Sequence, residues 1–323
     1  MVLGERMKST VETMQSDSVG VRSAWGVFAD LVKARLTALV LLTTLSGFYL
    51  ASANPMNWGL LFHILLGTGL LACGASVLNQ YSERELDALM PRTQNRPLPS
   101  GLILPEKAFW FGVVLSITGV AYLLWKSNLL TTVLGALTLS LYLFVYTPLK
   151  RLTPWNTLVG AVPGALPPLM GWTAVRGTLD MGGWALFLIL FLWQMPHFLA
   201  IAWMYQDQYE SAGYCMMPKV DPQGVRTSRH ALFFAVVLLP ISLIPVLAHT
   251  SGWVYGVTAL ILGVGFIWRA WQFSANLDRS RARQLFFYSI IYLPLLLMAL
   301  TFNKSEGAQH QGHAMQDSLL ITE

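Results

Sequence analysis

The 323 residues are 54% apolar and only 11% charged, where about a quarter charged is usual for a soluble domain. A water-soluble enzyme is therefore excluded. The formal net charge of +5 invites a nucleic-acid partner, but the placement of that charge along the chain argues against one.

Residues 1–23 form a polar tail. It carries Glu5, Glu12 and Asp17 and lacks an apolar core, unlike a signal peptide or an acid-poor transit peptide. Apolar windows then predict nine membrane helices near 37–53, 58–78, 108–125, 128–146, 156–174, 182–202, 231–248, 253–272 and 284–302. Residues 24–303 are thus expected to make one all-α, nine-helix membrane domain. The polar tail 304–323 follows, with His310 and His313 read as solvated rather than metal-binding.

If the N-terminus and every second loop lie on one side, that side holds all Lys and Arg except Lys126, Arg176 and Lys304. This is the positive-inside pattern. It predicts a cytoplasmic N-terminus and an outer C-terminus in a bacterial plasma membrane, and it explains the basic charge without nucleic acid. Cys73 falls in a span and Cys215 in a cytoplasmic loop, so no disulfide is expected.

Span two runs into Asn79-Gln80-Tyr81-Ser82-Glu83-Arg84-Glu85-Leu86-Asp87. Carboxylates at the end of a span are costly unless they bind something. Asn79, Glu83 and Asp87 are spaced i, i+4, i+8. On a helix they drift by about 40° per step and share one face over about 12 Å. Arg92-Thr93-Gln94-Asn95-Arg96-Pro97-Leu98-Pro99-Ser100-Gly101 follows, a rigid guanidinium-rich loop suited to oxyanions. Oxygen donors beside arginines suit magnesium and a phosphorylated substrate. The competing reading is a helix end whose acids pair with Arg84, Arg92 and Arg96.

Span four ends in Tyr146-Thr147-Pro148-Leu149-Lys150-Arg151. Lys150 and Arg151 are read either as leaving-group contacts or as topology residues. Span five holds Gly160, Pro163, Gly164, Pro167, Pro168 and Gly171. Such a segment is expected to line an enclosed cavity, or else to pack closely through its small residues. Span six holds Trp193-Gln194-Met195-Pro196-His197 and runs into Tyr205-Gln206-Asp207-Gln208-Tyr209-Glu210. His197 lies inside an apolar span, where a lone His is read as a helix–helix hydrogen-bond partner or a ligand contact. His63, His249 and His230 are weaker candidates. The polar connections 82–106 and 204–229 lie four spans apart, which hints at a site shared between halves.

Four segments together resemble the UbiA-type intramembrane prenyltransferases, and within them the branch that farnesylates heme B. They are Asn79 to Gly101, Tyr146 to Asn156, Gly160 to Trp172, and Trp193-Gln194-Met195-Pro196-His197-Phe198 through Gly213. The similarity covers most of residues 25–300. It implies a nine-helix bundle around a central cavity, and a Mg²⁺-dependent reaction of farnesyl diphosphate with heme B and water that gives heme O and diphosphate. It also implies metal ligation by Asn79, Glu83 and Asp87, with Asp207 at a second site. Arg92, Arg96, Lys150 and Arg151 would neutralise diphosphate, Tyr146, Trp193 and Tyr205 would screen an allylic cation, and His197 would contact the heme iron. An enzyme converting heme O to heme A is a candidate partner.

Two departures from the family pattern stand out. Glu83 occupies a position that is usually Asp, and Ser211 stands where the second motif has an acid. The competing functions are a prenyltransferase for a quinone or chlorin acceptor, and a heme or ion transporter.

Overall fold

The computed structural model describes residues 23–305. Residues 1–22 and 306–323, which include His310 and His313, lie outside it. A short helix α1 (Ala24–Leu31) precedes α2 (Ala34–Ala51), α3 (Trp58–Ala88), α4 (Pro105–Lys126) and α5 (Leu129–Ser140). A single π-helical turn, Leu141–Tyr146, joins α5 to α6 (Thr147–Leu152). Then come α7 (Asn156–Arg176), α8 (Met181–Met204), the short α9 (Gln206–Ser211) and α10 (Met217–Val220), α11 (Val225–Leu247), α12 (Trp253–Ala275) and α13 (Arg279–Phe302).

Helix starts follow local chemistry. Asn57, Asn128, Asp180 and Asp278 each accept a hydrogen bond from a first-turn backbone N–H, satisfying donors that hydrocarbon would leave bare. Counting α5 through α6 as one span, nine helices among the described residues are long and apolar enough to cross a membrane. All nine expected spans are present. The second reaches ten residues beyond its predicted end, because Asn79, Glu83 and Asp87 are buried and paired and so continue the helix.

Two apolar cores hold the bundle. One joins α8 to α11, α12 and α13 through Phe266, Phe273, Tyr255 and Tyr292. The other joins α2, α3, α4, α5 and α7 through Phe48, Ile64, Leu123 and Leu169. Outward faces are apolar and exposed, as at Phe62, Ile117, Ile261 and Ile291. That pattern suits lipid rather than water.

Helix α7 stays continuous through Pro163, Pro167 and Pro168 and is the most buried span. A Cβ on Gly171 would strike the Thr44 carbonyl, and one on Gly47 the Pro168 carbonyl. The backbones of α2 and α7 therefore touch, the close approach that small residues permit. Of the two readings of span five, close packing describes most of it. Its first turn borders a cavity through Asn156 and Thr157.

Candidate active site at one end of the bundle

The polar side chains gather where α3, α6 and α8 end and α2 begins. Asn79, Glu83 and Asp87 share a face of α3, and each is at most 5% exposed. Each has one cation on one of its oxygens. Lys33 Nζ lies 2.7 Å from Asn79 Oδ1, Lys150 Nζ 2.7 Å from Glu83 Oε1, and Arg96 Nη1 2.6 Å from Asp87 Oδ2. The three groups border a cavity of about 100 Å³, together with Arg92, Tyr142, Tyr146, Tyr209 and Tyr214.

Local structure explains this convergence. The π turn carries Tyr142 and Tyr146, and with Lys150 at the next i+4 step all three side chains reach the cavity. Such single turns are frequent at functional sites. Thr147 Oγ donates to Tyr142 O at 2.8 Å and accepts from Asn79 Nδ2 at 3.2 Å. That orients the Asn79 carbonyl toward Lys33. Thr93 Oγ donates to the Asp87 carbonyl at 2.8 Å, folding the arginine loop back over α3. Arg92 Nη2 meets Tyr209 Oη at 3.0 Å, with its guanidinium 5.1 Å from the Tyr205 ring. The two polar connections thus touch, as their placement in the sequence suggested. The first half of the chain nevertheless supplies most of the site, and the second half adds Tyr209, Tyr214 and Met216.

Lys33, Tyr142, Tyr209 and Tyr214 are lining residues that sequence reasoning missed. A lysine just before a span reads as a topology charge. The Lys33 backbone is left-handed at φ 48, ψ 54, which costs a non-glycine residue roughly 1–2 kcal/mol. Strain of that kind clusters where function demands a geometry. Gln80 holds the strained junction by donating from Nε2 to Asp30 O at 2.9 Å and Leu31 O at 2.7 Å. Burial, and next the Arg96 guanidinium, bring the Lys33 ammonium down to about 7. Burial pushes the Tyr214 phenol up, with Glu83 adding to the shift.

Other expected residues lie elsewhere. Arg151 is exposed and outside the cavity lining. Asp207 is exposed and pairs with Arg279 at 2.5 Å, away from the cavity. Trp193 donates from Nε1 to Ser289 O at 2.9 Å. His197 stacks between Trp193 and Phe286, with Nδ1 2.7 Å from Ser289 Oγ. It faces α13, while its neighbour Phe198 lines a second cavity of about 50 Å³ that shares Tyr146 and Tyr209 with the first.

The donor set fits a hard divalent cation. Two carboxylates and a carboxamide on one face match magnesium, which takes one or two carboxylates and fills its shell with water and phosphate oxygens. No cluster of three or more His, Cys, Asp or Glu gathers among the described residues, so phosphate oxygens would have to complete the shell. Four cations line the cavity against two carboxylates. The excess of positive charge favours an anion.

Membrane-length helices with oxygen donors and cations at one end define a class, the polytopic membrane proteins of prenyltransferase fold. Solved structures of this fold include digeranylgeranylglyceryl phosphate synthase (TM-score 0.75, 17% identity, 88% of this chain and 99% of that one). A UbiA homolog from Archaeoglobus fulgidus bound to GPP and Mg²⁺ is also similar (TM-score 0.61, 12% identity, 85% and 99%). The chain belongs to the UbiA prenyltransferase family, whose model matches residues 40–291. It is 44% identical over 278 residues to the protoheme IX farnesyltransferase of Solibacter usitatus, covering 83% of this chain and 95% of that one. The protein of the same name from Salinibacter ruber is 46% identical over 270 residues, covering 84% and 95%. The mitochondrial human one is 41% identical over 288 residues, covering 89% of this chain and 64% of that protein.

Proposed function

We propose that this chain transfers the farnesyl group of farnesyl diphosphate to a vinyl group of heme B, giving heme O. The C–O bond to diphosphate breaks and a C–C bond forms to the terminal vinyl carbon. Water adds to the other vinyl carbon and releases a proton. The observation that carries this reading is the shared name of relatives 40–46% identical over most of their length. A quinone or chlorin acceptor has no such support, and a carrier has no use for a donor triad beside an arginine loop.

Asn79, Glu83 and Asp87 would hold Mg²⁺, which when bound neutralises charge developing on the departing diphosphate. Arg96, Lys150 and Lys33 line the same cavity and add to that neutralisation, with Arg92 at its rim. Tyr146 and Tyr142 present ring faces that stabilise an allylic cation and keep water from it. The Lys150 ammonium already sits 4.6 Å from the Tyr146 ring centroid, in the place a cation would take.

His197 is our assignment for the heme iron. Its Nδ1 is engaged by Ser289 and its ring is stacked between Trp193 and Phe286, so iron ligation at Nε2 would require that stack to part. A second magnesium ligand at Asp207 would require that residue to leave Arg279. The charge bias along the chain supports placing this site on the cytoplasmic side of a bacterial inner membrane.

The test is acceptor dependence. Purified protein with farnesyl diphosphate and Mg²⁺ should release diphosphate when heme B is added and not when a quinone-ring precursor replaces it. The opposite preference would overturn the acceptor.

A further inference from the structure

The pairing at the site is one to one. Asn79, Glu83 and Asp87 are the oxygens a divalent metal needs, and Lys33, Lys150 and Arg96 are the cations a diphosphate needs. In the structure each group satisfies the other. We propose that Lys33, Lys150 and Arg96 are exchange partners: they leave the three donor oxygens when a divalent metal binds and turn to the diphosphate, so that metal and diphosphate bind cooperatively. This rests on the metal-site reading above.

Three features support exchange rather than a fixed ion-pair cluster. A carboxylate has a second oxygen to offer, but Asn79 has one carbonyl oxygen, and Lys33 occupies it at 2.7 Å. That oxygen keeps a second lone pair, but a divalent metal on it would sit beside the ammonium, and repulsion between the two cations drives Lys33 off. The Lys33 main chain is pinned by the left-handed turn and by Gln80, while its head is carried on a four-carbon stem with several rotatable bonds. The head can then change partners without moving α2. Finally, these contacts tie up positive charge in the cavity. Once a metal takes over the oxygens, that charge is released toward an anion.

Arg92 supplies the control. It lines the same cavity but engages Tyr209, not a donor oxygen. Removing it subtracts a charge without freeing a ligand.

The experiment uses the full chain in detergent, with Mn²⁺ and inorganic diphosphate as probes and no heme. Mn²⁺ binding is read by electron paramagnetic resonance. Lys33→Met should bind Mn²⁺ alone ~5-fold or more tightly than the unaltered chain, and Arg92→Met by less than about twofold. Mn²⁺ should also raise diphosphate affinity in the unaltered chain, after correction for the complex the two form in solution, and that gain should shrink in Lys33→Met. Equal shifts in Lys33→Met and Arg92→Met would reduce the effect to the electrostatic field and overturn exchange. No shift in either would do the same. If Lys33→Met does not fold, Lys150→Met carries the same expectation at Glu83. Failure of exchange with heme still farnesylated retires this proposal and leaves the function standing. Mn²⁺ binding unaffected by Asp87→Ala would retire the metal site itself.

Discussion

Lys33 Nζ lies 2.7 Å from Asn79 Oδ1 across 46 residues of sequence, and this contact ties the start of α2 to the donor face of α3. Arg96, Glu83, Lys150 and Asp87 are the charged groups around it, and burial with Arg96 holds the ammonium near 7. An unfolded lysine titrates near ~10.4. Between those values the unfolded chain binds more protons than the folded one, so folding stability gains as pH rises through that window.

In metal-free protein, the thermal midpoint of the unaltered chain relative to Lys33→Met should therefore rise as pH goes from about 7 toward about 10. A difference that stays flat would show that Lys33 is not held down by its surroundings.

Gly160 faces the Tyr146 ring so closely that an added Cβ would sit 2.5 Å from two ring carbons. Gly160→Ala should push the ring into the cavity and cost about 1–3 kcal/mol of stability by overpacking. Turnover should fall further than that of Tyr146→Leu alone. Combining the two changes should recover most of the lost stability, as read by thermal unfolding. No recovery would mean that the clash is relieved by α7 instead.

Asp207 and Arg279 are both more than half exposed, so breaking their pair should change stability by ~0–1 kcal/mol. Asp207→Asn should lower the rate of diphosphate release far less than Asp87→Asn does. Equal losses would show that α9 turns Asp207 into the cavity during turnover.

His197→Ala should abolish any heme-dependent absorbance shift and raise the heme KM, with kcat for bound heme reduced less. Ser289→Ala should give a weaker form of the same change, because it frees the imidazole without removing it. Unaltered heme spectra in His197→Ala would return the residue to helix packing against α13.

The sequence made the bundle legible, because span length and apolar runs are set by the bilayer rather than by tertiary detail. The donor face was legible for the same kind of reason: i, i+4, i+8 on a helix admits one geometry. What stayed hidden depends on partners distant in the chain. Lys33 looks like a topology charge until Gln80 and the left-handed turn bring it to Asn79. The π turn changes register at Tyr146 without any unusual residue to mark it. Asp207 and His197 are of the right residue types for their expected roles, but Asp207 is drawn to Arg279, and one step of about 100° turns His197 away from the cavity that Phe198 lines. The prolines of span five read as breaks, yet α7 continues, because α2 packs against its backbone.

The Asn79–Glu83–Asp87 face is proposed to drive farnesylation of heme B. The most direct measurement is mass spectrometry of heme extracted after incubating purified protein with heme B, farnesyl diphosphate and Mg²⁺. A heme heavier by a farnesyl group and a hydroxyl is expected, absent with chelator and absent in Asp87→Ala. Unmodified heme from folded, metal-loaded protein would contradict it.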